Sequence, residues 1–333
     1  MDKNGPYWVA GLGEANVTKH IKADVDTMFP IASVSKMFVG LAILKLVEEG
    51  KLNLNDKLRD LAPNIQFENP WEKTNPILLV HLLEHTTGWD DLHLAEIGYK
   101  ATDASTLKDA LAAHPDSRKS RWVPGTRHAY CNTGPAVSAY IIEKVTGKKF
   151  EEYLQEAFLN PLQMNASSFY NSQVYKAHKA ELYSAEYPYQ KYRPSGAMNS
   201  SAKEMANFLQ FMILRGEFNG QRLLQSTSID RMETPVSNLG ASIGIKSGYA
   251  LYNVARGFKD FGIAFYGHDG GGSVLTAFVY IPKLRTGYVV MTNGKGSGHW
   301  QITELINQFL LKDINKVTPK AIDLSPKFSA MAG

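Results

Sequence analysis

Residues 29–40 read FPIASVSKMFVG, an apolar run that carries two serines and a lysine and leads into a longer apolar stretch. Ser33 and Lys36 are three residues apart, so on a helix they share a face, whereas Ser35 points elsewhere. An alcohol attacks a carbonyl only when a base removes its proton. An amine in apolar surroundings has its pKa lowered because desolvation disfavours the ammonium, and it can then serve as that base or hold a proton relay in order. The start of a helix adds free N–H groups and a positive dipole end that can receive an oxyanion. The same S-x-x-K spacing recurs at Ser105–Lys108 and Ser200–Lys203, where polar neighbours suit a capping serine and a solvated lysine. Only Ser33 opens a fully apolar helix. The structural alternative there is an N-cap serine followed by a lysine that snorkels to solvent.

Other constellations compete for a chemical role. His81-Leu-Leu-Glu84-His85 matches H-x-x-E-H, which on one helix would bring two imidazoles to a zinc ion with Glu84 as base. The following Thr-Thr-Gly88 instead marks a helix end, where a histidine is favoured by the dipole. Gly11-Leu-Gly13 fails the dinucleotide fingerprint and reads as a turn at a strand end, and Gly294–Gly298 lacks the phosphate-loop spacing. Cys131, the one cysteine, alternates away from its neighbours and reads as a small apolar packing group. His128 reads as a loop hydrogen-bonder. Trp89, Tyr170, Tyr187, Tyr189 and Tyr192 are candidates to line a substrate groove or to pack in the core. No cofactor motif and no metal set is expected.

The chain that positions these groups has 333 residues, 44% of them hydrophobic, enough for a large core in one or two domains. Its net charge is +4, but the basic residues are scattered, so nucleic acid is not implied. A single cysteine excludes an internal disulfide, and no apolar run is long enough to span a bilayer. The N-terminal residues MDKNGPYWVAG lack a signal-peptide pattern, which leaves the compartment open.

Residues 7–17 start like a strand. Met37–Val47 is a buried central helix, stopped at Gly50. Helices are expected over 77–86, 105–113, 149–158 and from Pro135 to Gly147, with a capping box at Ser201–Glu204 before another. After residue 245, β-rich runs separated by turn residues read as an antiparallel meander, closed by a helix over about 300–313. The expected fold is α/β: an antiparallel sheet flanked by helices, joined by the N-terminal strand, with a mostly helical insertion. Residues 1–55 with 200–333 would form the sheet domain and 56–199 the helical one, with the site at their interface.

Tyr130-Cys131-Asn132 sits before a helix and His268-Asp269-Gly270 at the end of a strand. S-x-x-K, then Y-x-N, then a basic residue-x-Gly resembles the serine β-lactamase and penicillin-binding-protein superfamily. It looks most like the branch of class C β-lactamases, D-Ala-D-Ala carboxypeptidases and related esterases. FPIASVSK, LLEHTTGW, VPGTRHAYCNTG, GAMNSSAKEMANF, YGHDGGGS and VVMTNG follow that order across nearly the whole chain.

The resemblance implies catalysis by Ser33, Lys36 and Tyr130, with either Lys36 or a Tyr130 phenolate as the base. It implies that Asn132 fixes Lys36 or the acyl side chain, and that His268 orients Tyr130 and the substrate's negative end. Gly270 and Gly271 let substrate approach the strand, with the N–H groups of Ser33 and Gly271 as the oxyanion hole. Histidine where class C enzymes carry lysine argues for a substrate without an obligatory carboxylate. Lys246-Ser247-Gly248 is a rival third motif.

The resulting expectation is a serine hydrolase acting through an acyl-enzyme on a small ester or amide, a carboxylesterase with weak β-lactam turnover. A D-Ala-D-Ala carboxypeptidase or D-amino-acid peptidase is the alternative, and a non-catalytic scaffold the reading of another class. The family's usual first strand has no counterpart before residue 7, which leaves the sheet edge open to a partner.

Overall fold

The computed structural model describes residues 1–93, 96, 106–183, 192–272, 274–294, 296 and 298–318. Tyr187, Tyr189, Ser105 and, in the 294–298 loop, Lys295 and Ser297 lie outside the described residues.

The chain enters through a small hairpin, β1 (Glu14–Asn16) with β2 (Ile21–Lys22), then β3 (Met28–Pro30), which pairs antiparallel with β4 (Asn199–Ser201). A 3₁₀ turn over Ala32–Val34 leads into α1, Ser35–Glu48. Helix α1 buries residues on every face, and Glu49 and Gly50 close it with left-handed backbone at Gly50. Residues 58–178 hold short helices and one long one, Thr133–Thr146, which ends at left-handed Gly147. The helix beginning at Phe150 widens to a π turn over Gln155–Leu159.

After a short hairpin of β5 (Glu217–Phe218) and β6 (Gln221–Arg222) comes the main sheet, an antiparallel meander: β7 (Gly248–Tyr249), β8 (Val254–Phe258), β9 (Ile263–Gly270), β10 (Thr276–Ile281) and β11 (Thr286–Met291), in the order 11-10-9-8-7. All of β10 is buried, as suits a central strand covered on both faces. The Ala202–Ile213 helix packs on it through Phe208, whose ring stacks 4.7 Å from Phe278 and 4.4 Å from Phe38 of α1. That stack ties the site-bearing helix to the sheet. Phe38→Ala is expected to cost about 3–5 kcal/mol, because the cavity sits where three rigid elements meet. Denaturant unfolding with an unchanged slope checks this.

Two expectations are corrected. Residues 7–17 do not join the main sheet, because Gly11 abuts the backbone of Ala23, where even a Cβ would lie 2.3 Å from a carbonyl carbon. The N-terminal residues meet the β11 edge through Met1 and Asp2, and Asn293 just past that strand donates to Glu14 O. At the capping box, Ser201 Oγ accepts from Glu204 N, but the Glu204 carboxylate does not reach back. It is buried and takes Ala166 N and Ser167 Oγ instead.

Candidate active site

Ala32 holds left-handed backbone (φ 46°), which swings Ser33 out of line with β3 and onto the first turn before α1. Ser33 is half-buried among residues otherwise buried from Ile31 to Leu44. Lys36 lies one turn on and is fully buried, and its Nζ donates to Ser33 Oγ at 2.9 Å and to Ser195 O at 2.5 Å. Burial pulls its pKa from 10.5 down to about 7, against the opposing pull of Asp91 and Cys131. An amine that is half neutral near pH 7 and touches an alcohol is a competent proton acceptor.

Tyr130 stands across this pair, its ring 5.0 Å from Lys36 Nζ and its hydroxyl hydrogen-bonded with Ser33. Burial holds the phenol well above its ordinary pKa, and the Ser33 bond offsets this only in part. A buried neutral phenol is a donor and relay. It is a poor candidate for a standing phenolate.

The third element lies on β9. Gly270 abuts the turn before Ser33, with Ile31 O only 2.4 Å from where a Cβ would sit, while the same point on Gly271 opens to free space. His268 is buried, its Nδ1 donates to Asp269 O at 2.7 Å, and its ring centroid is 6.2 Å from that of Tyr130. The Nδ1 proton leaves Nε2 as an acceptor, and Nε2 is buried without a partner among the described residues. Desolvation, then the Lys36 and Arg256 charges, push the imidazole pKa down to about 3, so it is neutral at physiological pH. Beside it, Gly267 is forced: a Cβ there would fall 1.8 Å from Phe278 O, and its φ is 144°.

Asn132 departs from the resemblance. Its Nδ2 donates to both Asp91 carboxylate oxygens, at 3.0 and 3.1 Å, and its backbone N donates to Asp91 as well. It makes no hydrogen bond to Lys36. The link is indirect, through Ser195, whose Oγ donates to Asn132 O while its carbonyl accepts from Lys36. Asp91 takes the amide's donors, and Lys36 directs its own donors to Ser33 Oγ and Ser195 O.

The rival motifs separate. Lys246 and Ser247 are exposed before the edge strand β7, and what β7 contributes is Tyr249. The Tyr249 ring lies 5.5 Å from Tyr130 and 6.0 Å from His268, with His128 stacked on it at 4.4 Å. So His128 packs rather than hydrogen-bonds. In His81–His85, the helix stops at Leu83 and His85 turns left-handed (φ 55°), which breaks the shared face a zinc pair needs. Glu84 binds Arg231 and the N–H groups of Val236 and Ser237, and His85 accepts from Cys131 N and stacks 4.4 Å beneath Tyr130. Trp89 and Tyr192 are core, Tyr170 packs against Arg193, and Cys131 is buried on Thr133 with its thiol pushed up to about 11.

Sequence reading missed Asp91, Ser195 and Tyr249, which carry no spacing signal, and gave His85 only as part of a zinc spacing or as a helix-end residue. Each reaches the site from a different loop or edge.

A family model described as Beta-lactamase matches residues 1–308. Protein flp of Staphylococcus aureus (strain NCTC 8325 / PS 47) is 27% identical over 304 residues, 87% of this chain and 58% of that protein. The chain thus spans less than two thirds of the length of these curated relatives. The teichoic acid D-alanine hydrolase of S. aureus is 32% identical over 174 residues, 52% of this chain and 40% of that protein. The octameric penicillin-binding protein homologue of Pyrococcus abyssi superposes with a TM-score of 0.76 at 28% identity, over 92% of this chain and 72% of its own. The β-lactamase/D-alanine carboxypeptidase of Yersinia pestis shares the fold at a TM-score of 0.73 and 20% identity, over 90% of this chain and 88% of its own. No helix among the described residues is long and apolar enough to cross a membrane. With a family model spanning nearly its full length and the same fold in solved relatives, this chain belongs to the Beta-lactamase family.

Proposed function

We propose that the chain is a carboxylesterase-type acyl hydrolase with Ser33 as nucleophile, Lys36 as base and Tyr130 as the proton relay. The observation that carries this reading is the 2.9 Å contact between Ser33 Oγ and a fully buried amine whose pKa falls to about 7. Neutral Lys36 takes the Ser33 proton as Oγ bonds to the carbonyl carbon. The N–H groups of Ser33 and Gly271 receive the oxyanion. Tyr130 hands a proton to the leaving alkoxide and is resupplied from Lys36. Water then attacks the acyl-enzyme by the reverse path and frees the acid. Keeping Tyr130 neutral suits this division of labour, because the phenol then donates where a phenolate has nothing to give.

A neutral imidazole at His268 supplies no cation for a substrate carboxylate and presents Nε2 as an acceptor. That favours esters and amides without an obligatory carboxylate, with β-lactam turnover weak. A second reading, hydrolysis of D-alanyl esters or D-amino-acid peptides, draws on the relatives named for D-alanine hydrolysis and D-alanine carboxypeptidase activity. Parallel kinetics on p-nitrophenyl butyrate, a D-alanyl ester, nitrocefin and a D-Ala-D-Ala peptide test the ranking. The neutral ester is expected to exceed the two carboxylate-bearing substrates by about 10²-fold or more in kcat/KM, a difference of about 2.7 kcal/mol. A D-Ala-D-Ala peptide turned over faster than the ester would sink the ester reading.

A further inference from the structure

We propose that His93, Glu96 and His114 form a binding site for one zinc-class divalent metal ion, separate from the Ser33 chemistry. Their ligand atoms lie within 4.8 Å of one another, the metal-ligand cluster found among the described residues. His93 Nδ1 and His114 Nε2 face each other at 3.3 Å. Two nitrogens held about 2.05 Å from a tetrahedral zinc are separated by about 3.3 Å, so the pair already has the bite such an ion requires.

The outer nitrogens carry the matching second layer. His93 Nε2 lies 3.5 Å from Asp90 Oδ2, and His114 Nδ1 lies 3.6 Å from Asp116 Oδ2. A carboxylate on the far nitrogen fixes the tautomer, turns the inner lone pair toward the metal and raises its basicity. Both aspartates stand at ion-pair range, a short movement from hydrogen-bonding those far nitrogens once the inner lone pairs turn to an ion. Glu96 is 2% exposed, an expensive place for a carboxylate. It is held by Ser117 Oγ and Tyr192 OH on Oε1 and by His93 N on Oε2, which leaves Oε2 with lone-pair capacity for a cation.

Two imidazoles with one carboxylate suit zinc, cobalt(II) or nickel(II) better than calcium or magnesium. A water completes a four-coordinate ion. Asp90 and His93 flank Asp91, the residue that holds Asn132, so an ion here would pin the loop that leads to the active site. The site's role is to order that loop.

The full chain, stripped with a chelator and dialysed, is titrated with zinc chloride by calorimetry and with cobalt chloride by visible absorption. One ion per chain is expected, with a Kd of about 1 μM or tighter, intense cobalt bands of a four-coordinate site, and a Tm higher by about 5 °C at saturating zinc. His93→Gln and His114→Gln are expected to abolish binding, and His20→Gln to leave it unchanged. Weaker binding, octahedral cobalt bands, or unaltered binding in both glutamine variants overturns the site. The cobalt spectrum of the unsubstituted chain decides the matter if a variant does not fold. Ester turnover by Ser33 is read separately, so loss of either proposal is distinguishable from loss of the other.

Discussion

Ser33→Ala is expected to lower turnover of every acyl donor by about 10⁴-fold or more, leaving only what the oxyanion donors and binding contribute. The physical reason is that, among the described residues, Ser33 carries the one hydroxyl that Lys36 Nζ contacts. Cys131 is buried with its thiol pushed up to about 11, and the Ser35 hydroxyl donates to Ala32 O on the far side of the turn. The measurement has two parts, steady-state kinetics and intact mass after brief incubation with an activated ester or a fluorophosphonate. The native chain should gain one acyl or phosphonyl group at Ser33, and the variant none. Because Ser33 is a half-buried residue on a turn, truncation to alanine should leave the unfolding midpoint close to native. A variant that kept native rates would remove Ser33 from the chemistry.

The second large effect concerns Lys36. With its pKa lowered to about 7 by burial, kcat/KM should rise with pH through a single limb centred near 7 as the amine becomes neutral. No falling limb is expected below pH 9. His268 titrates near 3, and burial holds Tyr130 well above 10. Lys36→Met should lower kcat by about 10²- to 10⁴-fold and erase the limb. A limb that persisted in Lys36→Met would assign it to another group.

Stability carries the same signature with a definite sign. The unfolded lysine titrates near 10.5 and the folded one near 7, so between these values the unfolded chain holds the extra proton. Stability from this group therefore rises with pH across the window, and its cost is fully present below about 7. His85 and His268 are also lowered by burial but cost stability as pH falls below 6.5, so above 7 the rise comes from Lys36 together with the burial-lowered Met1 amine, and the Lys36 variant separates the two. Lys36→Met should raise Tm more at pH 7 than at pH 9.

Much of the site was legible in the chain because its parts are local. Ser33 and Lys36 are three residues apart on one turn, and an apolar helix around an amine states its own electrostatic problem. Gly50 and Gly147 announced two helix ends, since left-handed backbone favours glycine whatever packs around it. The β-rich runs after residue 245 formed the antiparallel meander, because period-2 patterning and turn residues are written locally. Ordered motifs at long separation then tied Tyr130 and His268 to the same family pattern.

What the tertiary structure decided is which groups touch and which are charged. Asn132 was expected to hold Lys36 or the substrate's acyl side chain, and it is Asp91, forty-one residues upstream, that takes its Nδ2 donors. His85 matched a zinc-pair spacing but read as a helix-end histidine, and beyond that end its left-handed backbone makes it a platform under Tyr130. Residues 7–17 looked like a strand for the main sheet, yet only Glu14–Asn16 is strand, and it pairs with Ile21–Lys22 in a separate hairpin. The protonation of His268 follows from burial beside Lys36 and Arg256, a sum over three distant segments. Spacing along a chain fixes the geometry of neighbours, whereas desolvation and competition for a donor depend on everything within a few ångströms. Those surroundings are assembled only when the sheet, the central helix and the loops between them close on one another.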